Sequence, residues 1–211
     1  MIKEILIIFA HIKEANAFLF QSGFTFIKKE NNCFFFSNKN FQINILITGI
    51  GQKKTKKIIN YYNFNNLELI IKAGTCAVIN KENSIKTPLI PKYVGYRDLI
   101  LPVLFENLED KFKAKIKKYI IDKGLITLDK PLSNKRKVIY YLKNNFDLVD
   151  METFFIMEKF PKIPVIPILV GTDRGDMHAI IDFLKEINNA SIILKNVLID
   201  IFTSIVFKNN L

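Results

Sequence analysis

The sequence predicts an α/β fold: one domain with a central mixed, largely parallel twisted sheet flanked by helices. Three observations carry this. Apolar runs of strand length alternate with amphipathic stretches of helix length, the pattern of a sheet covered by helices. The chain has 211 residues, 49% of them hydrophobic, which suffices for one sizeable core and excludes disorder as the main state. No internal repeat, linker or low-complexity tail divides it, so residues 1–211 read as a single domain.

The elements follow in order. Ile5–Phe9 is an apolar first strand, and Glu14–Gln21 a helix that Gly23 ends. Phe24–Lys28, Cys33–Ser37 and Phe41–Thr48 are β-rich segments separated by the polar clusters Glu30-Asn31-Asn32 and Ser37–Asn40, as hairpins require. Gly51–Tyr62 is a helix and Leu69–Ala73 a buried strand. Pro88, Pro91 and Pro102 make the stretch from Asn80 to Pro102 one of short strands and loops. Leu108–Asp122 is predicted helical, Gly124–Leu128 a strand, Lys135–Asn144 helical, Leu148–Val149 a short strand and Glu152–Lys159 a helix. Ile163–Val170 has the continuous apolar character of a buried parallel strand. A last helix runs from about Met177 to Phe207, with a break expected near Asn188-Asn189.

Composition narrows the function classes. The net charge of +11 raises the question of nucleic acid, but 28 of the 31 basic residues are lysine. Readers of phosphates and base edges favour the two-pronged guanidinium of arginine. Scattered lysines serve solubility, and the run Lys53-Lys54-Thr55-Lys56-Lys57 reads as a solvated helix face. No nucleic-acid partner is therefore expected. No apolar run is long enough for a bilayer, and Ile5–Ala10 is too short for a signal segment, so no membrane association is expected and the cytoplasm is the default. Cys33 and Cys76 fit no zinc or redox spacing, and two histidines make the common metal sites improbable. No metal or cofactor is implied.

In open α/β sheets, ligands bind beyond the carboxyl ends of the strands. Several predicted ends carry polar or glycine-containing sequence. Gly49-Ile50-Gly51 joins a strand to a helix, where glycines admit close backbone approach and a helix N-terminus favours anions; it is equally readable as a tight turn with no ligand. It lacks the third glycine of a dinucleotide fingerprint. Ala73-Gly74-Thr75-Cys76-Ala77 is a run of small residues with one hydroxyl, serving either a ligand or tight packing. Asp150-Met151-Glu152 places two carboxylates beside an apolar strand end. They are either functional acids or, for Asp150, an N-cap and, for Glu152, a first-turn helix acid. In Thr172-Asp173-Arg174-Gly175-Asp176, Asp173 either faces a pocket or pairs with Arg174, and Asp176 is a candidate cap.

These pieces, in this order, resemble the purine nucleoside phosphorylase superfamily, and within it the nucleosidase branch of methylthioadenosine/S-adenosylhomocysteine nucleosidases and futalosine hydrolases. The resemblance covers nearly the whole chain. Val149-Asp150-Met151-Glu152 is similar to the family's Val-Glu-Met-Glu sugar motif, Thr48-Gly49-Ile50-Gly51 to its Gly-Ile-Gly turn, Gly74-Thr75-Cys76 to its glycine-rich strand end, and Thr172-Asp173 to its Ser-Asp pair. Glu14, after the first strand, matches the hydrolases' acid there. The resemblance implies a nucleoside phosphorylase-like domain that splits the N-glycosidic bond of a purine nucleoside, with or without a 5′-modification. Glu14 and Asp173 would be the catalytic residues: Glu14 activating water, Asp173 protonating the base or hydrogen-bonding to it. Glu152 would hold the ribose hydroxyls, Met151 would pack on the sugar, and Thr75, Cys76, Gly49 and Leu132 would complete the substrate site. A homodimer is implied on the same ground.

The sequence also departs from the family. The loop Asp129–Asn134 is shorter than the family's base-binding loop and offers Leu132 where an aromatic residue is usual. Lys72-Ala73-Gly74-Thr75-Cys76 is closer to the phosphorylases' Arg-x-Gly-Thr-Cys than to the hydrolases' Asn-Thr-Gly, which makes Lys72 a candidate phosphate contact. No arginine stands near Ala10–Glu14 or Gly49–Gly51, where phosphorylases carry one. Hydrolysis is therefore favoured over phosphorolysis, with a non-catalytic binding protein as a third reading.

Overall fold

The structure is a computed structural model that describes residues 3–37, 41–62 and 66–206. The first apolar run forms β1 (Lys3–Phe9), buried from Ile5 to Phe9 as a strand covered on both faces must be. α1 (Ile12–Gln21) turns Ala15 and Phe18 inward. β2 (Thr25–Glu30), β3 (Cys33–Ser37) and β4 (Phe41–Ile47) pair antiparallel in sequence. α2 (Gln52–Tyr61) leads into the long β5 (Leu67–Val78). The proline-bearing stretch yields three short strands, β6 (Pro88–Pro91), β7 (Tyr93–Tyr96) and β8 (Leu99–Pro102). Then come α3 (Asp110–Ile116), β9 (Ile120–Ile121), β10 (Gly124–Thr127), α4 (Lys135–Lys143), β11 (Phe146–Asp150), α5 (Thr153–Lys159), β12 (Val165–Asp173) and α6 (Ala179–Val206).

The sheet runs β2-β3-β4-β1-β5-β11-β10-β7-β8, with β12 joined to β5 and β6, and β6 to β9. β1 pairs parallel with β4 and β5, β12 parallel with β5, and β10 parallel with β7 and β11. The β11–β5 pairing is antiparallel and short, Leu148 opposite Val78 and Val149 opposite Ala77. The sheet is thus mixed and largely parallel, as predicted. β5 is its hub. Its first half lies between β1 and β12, and its second half carries both β12 and β11. The ends of β11 and β12 are thereby brought to one place.

α1 packs on α6, with Phe18 stacked edge-on against Phe202 at 6.2 Å and Ala17 N–H donating to Ser191 Oγ at 3.0 Å. α2 packs on α5. There Lys56 pairs with Glu158 at 3.0 Å and lies over the Phe155 ring and Thr55 is buried, while Lys53, Lys54 and Lys57 are exposed, the solvated face expected of the run. Among the described residues, no helix is long and apolar enough to cross a membrane.

Four expectations need correction. The predicted helix Leu108–Asp122 stops at Ile116; a 3-10 turn, Lys117–Tyr119, follows, and the β-branched pair Ile120–Ile121 joins the edge of β6. The strands expected at Leu69–Ala73 and Ile163–Val170 continue to Val78 and Asp173, because the small residues of one find register opposite the other. α6 is unbroken at Asn188-Asn189, since Ile187, Ala190, Leu194, Leu198 and Ile201 keep a buried stripe across that point. α1 begins at Ile12 rather than Glu14, because His11 takes the N-cap. The predicted helix end at Phe207 and residues 38–40 of the predicted turn lie outside the described residues.

Candidate active site

The turn from β4 to α2 places the first polar group. Gly49 and Gly51 sit at φ +84° and +89°, a region open to glycine because it lacks Cβ. This directs the Gly51 N–H, at the start of α2, onto Glu152 Oε1 at 2.7 Å. α2 has no acid in its own first turn. Glu152, from the end of β11, supplies the negative charge a helix N-terminus favours.

The two acids of Asp150-Met151-Glu152 separate cleanly in role. Asp150 is locked from both sides: Oδ1 accepts from Thr127 Oγ1 at 2.7 Å, and Oδ2 accepts from the Thr153 N–H at 2.9 Å and from the Thr153 hydroxyl. It ties β10 to the start of α5 and serves as an anchor. Glu152 makes no side-chain cap bond to α5, and its second oxygen accepts no hydrogen bond from a described protein group. It is 5% exposed. Burial, followed by the charge of Asp150, pushes its carboxyl up to about 7, against the opposing pull of Lys72 and the Gly51 N–H.

Glu14 reaches the same place from α1. It closes a capping box with His11, whose N–H donates to Oε2 at 2.9 Å, while His11 Nδ1 accepts from the Lys13 N–H at 3.1 Å. Its other oxygen accepts from the Thr75 N–H at 2.8 Å and Thr75 Oγ1 at 2.6 Å. Three donors occupy this carboxylate, which has about four lone-pair positions. It is therefore oriented, with room for one more hydrogen bond.

Asp173 owes its aim to an irregularity in β12. The pairing with β5 slips between Gly171 and Asp173, so Thr172 is an extra residue. Such a bulge re-aims side chains, and here both Thr172 and Asp173 face the site. Asp173 accepts from the Gly175 N–H at 2.9 Å and from Thr172 Oγ1 at 3.0 Å. Burial raises its carboxyl above the usual range despite these donors; the charges of Asp182 and Asp176 add smaller contributions. Arg174 forms no pair with it. Its Nη1 donates to the carbonyls of Val78, Asn80 and Asn83 at 3.3, 3.0 and 2.9 Å. Asp176 accepts from the His178 N–H at 2.8 Å, turning the chain into α6.

Glu14, Thr75, Cys76, Leu132, Met151, Glu152 and Asp173 line a single cavity of about 260 Å³. Gly49 does not line it; Ile50 does, and Gly49 serves the turn. Cys76 is buried, with its thiol held well above the usual range by desolvation. Leu132 is buried beside Gly175, on the side where Val149, Ile180 and Phe183 make the wall apolar. Sequence reasoning did not single out His11, Ile180 or Phe183. His11 was legible as a polar residue directly after a strand, whereas the two α6 residues carried no signal apart from the helix period. Lys72, singled out as a phosphate contact, is fully buried and does not line the cavity.

The fold has close counterparts among solved structures. A Helicobacter pylori 5′-methylthioadenosine/S-adenosylhomocysteine nucleosidase, bound to butyl-thio-DADMe-Immucillin-A, aligns with TM-score 0.78 at 15% identity over 96% of this chain and 99% of its own. A Chlamydia trachomatis MTAN variant bound to MTA aligns with TM-score 0.79 at 19% identity over 98% and 100%. The Helicobacter pylori futalosine hydrolase aligns with TM-score 0.79 at 16% identity over 96% and 98%. No family model matches the chain by sequence, and no curated protein does either. At these identities the likeness is one of fold: the chain has the α/β architecture that these nucleosidase structures share.

Proposed function

We propose that this protein hydrolyses the N-glycosidic bond of a 5′-modified purine nucleoside, releasing free base and the ribose moiety. One observation carries the reading: Glu14 of α1, Thr75 of β5, Glu152 after β11 and Asp173 at the end of β12 line one cavity whose remaining wall is largely apolar. The fold neighbours are nucleosidases that include complexes with MTA and with an Immucillin, which favours a nucleoside carrying a 5′-substituent.

Cleavage leaves cationic character on the sugar and negative charge on the base. In this reading the Glu152 carboxylate accepts hydrogen bonds from the ribose hydroxyls and stabilises the sugar cation, and Met151 packs on the sugar. Water attacks C1′ as the C–N bond breaks. Its proton passes to Glu14, held in place by Thr75 and His11. Asp173 gives a proton to the departing base, a step typically worth about 10²–10⁴ in rate. Exchange with solvent then returns Glu14 and Asp173 to their starting states. Leu132, Phe183 and Ile180 form the base wall.

Phosphorolysis is disfavoured because Lys72 stands behind the cavity surface. We further propose a homodimer, supported by the exposed apolar residues Met177, just before α6, and Ile180, Ile181 and Leu184 in its first turns, of which Ile180 borders the cavity. The function is tested by incubating the protein with a panel of purine nucleosides, with and without inorganic phosphate, and separating products by chromatography. Free base and free ribose in the absence of phosphate support the reading. Strict phosphate dependence with ribose 1-phosphate as product, or no turnover of any nucleoside, defeats it. Light scattering after size exclusion reads the oligomer.

A further inference from the structure

Lys72 is fully buried at the centre of β5, beside Ile8 of β1 and Pro167 of β12, both uncharged. A lysine in such a place is rare unless it is paired or functional. Its ammonium makes one protein hydrogen bond, to the Ala73 carbonyl at 3.3 Å. The strand period puts Lys72 and Gly74 on one face, so the lysine chain runs along the strand over the glycine. A Cβ at Gly74 would overlap Lys72 Nζ and come 3.3 Å from Glu14 Oε1. Gly74 thus keeps open the space between the ammonium and the Glu14 carboxylate.

The charged groups around this point are mostly acids. Glu14 approaches from α1, Asp150 and Glu152 from the end of β11, Asp173 from β12, and the Cys76 thiol lies on β5 itself, with His11 beyond Glu14. Lys72 is the cation whose charge opposes ionisation-blocking effects at both Glu152 and Cys76.

We propose that Lys72 is a positioning residue: a built-in counter-ion, behind the substrate cavity, that offsets the negative charge gathered there by Glu14 and Glu152 without touching substrate. The idea rests on the nucleosidase reading for its catalytic consequence, but its electrostatic core is independent of turnover. An uncharged side chain here would leave two buried carboxylates at one cavity without this compensating charge.

The test uses Lys72→Met and, in case that variant does not fold, Lys72→Gln, which keeps a polar end on a chain one atom shorter but not the charge. Carbon-13 NMR of glutamate carboxyls follows the Glu152 titration, assigned by its loss in Glu152→Gln. The wild type is expected to titrate at about 7, and either variant about one pKa unit or more higher, as loss of a nearby opposite charge dictates. In the pH profile of kcat/KM, the acid limb moves up by the same amount. At pH 7 the variant is then about fivefold slower, the ratio approaches about tenfold at lower pH, and the difference closes at higher pH. An unmoved Glu152 titration overturns the proposal, whether or not the protein turns over nucleosides. A loss of kcat/KM that is uniform with pH also overturns it. So does phosphate-stimulated turnover in the wild type that disappears in the variant, which would make Lys72 an anion ligand. A wild type inactive on all nucleosides defeats the functional reading alone, with the NMR titration still deciding the role of Lys72.

Discussion

Glu152→Gln should stabilise the folded protein while disabling it. The carboxyl of Glu152 moves from 4.5 to about 7 on folding, chiefly through burial. Below about 4.5 it is protonated in both states and has no pH-dependent effect. Between 4.5 and about 7 the unfolded chain has released this proton and the folded chain still holds it. Folded stability therefore falls as pH rises through that window and levels off above it. At about 1.4 kcal/mol per pKa unit, the loss amounts to about 3 kcal/mol. Glutamine matches the shape of the protonated acid and still accepts from the Gly51 N–H, so it escapes the penalty. Urea denaturation at pH 4, 6 and 8 reads the difference. The variant is expected to equal the wild type at pH 4 and to exceed it by about 3 kcal/mol at pH 8, a rise in Tm of about 6–12 °C for a chain of this size. The same substitution should lower kcat/KM by about 10²–10³, since an electrostatic contact to the developing charge is lost. Parallel stability curves for the two proteins from pH 4 to 8 would refute the reasoning, because Glu152 would then titrate alike in folded and unfolded chains.

Other substitutions probe the remaining parts of the site. Asp173→Asn removes the proposed acid and should reduce kcat/KM by about 10²–10⁴. It should also abolish the alkaline limb of the pH profile, because activity that needs protonated Asp173 declines as pH rises through its elevated pKa. Thr75→Val deletes the hydroxyl that donates to Glu14 at 2.6 Å. It should destabilise by about 1.5–3 kcal/mol in urea titration, the range for a hydrogen bond to a charged group, and lower kcat more than it raises KM. Leu132→Ala should cost about 2–5 kcal/mol of stability as a buried leucine truncation, and raise KM with a smaller change in kcat, as loss of a wall contact predicts.

Much of the architecture was legible along the chain because it rests on local chemistry. The apolar run of β1, the β-rich segments of the meander and the prolines of β6–β8 each announce themselves within a few residues. The long helix α6 was legible in its period, yet Asn188-Asn189 read as a break. Local polarity there is outweighed by the stripe of buried residues on either side, an effect of packing. Ile120–Ile121 illustrates the converse: two residues in a helical pattern become a strand because an unpaired edge of β6 is next to them.

The candidate site divides in the same way. That Glu14, Thr75, Met151, Glu152 and Asp173 come together at one cavity was readable from the motifs and their order. What each does within the site was not. Asp150 and Glu152 are two residues apart and chemically alike, and the hydroxyls of Thr127 and Thr153 make one an anchor while Gly51 leaves the other facing the cavity. Lys72 resembled a phosphate ligand in its motif, and strand direction turned it behind the cavity instead. Sequence alone determined the kinds of group present and the strand ends they occupy, because those depend on nearby residues. Tertiary structure decided burial, partner and charge state, because these arise where β5 brings the ends of β11 and β12 together and excludes water from four acids and one lysine.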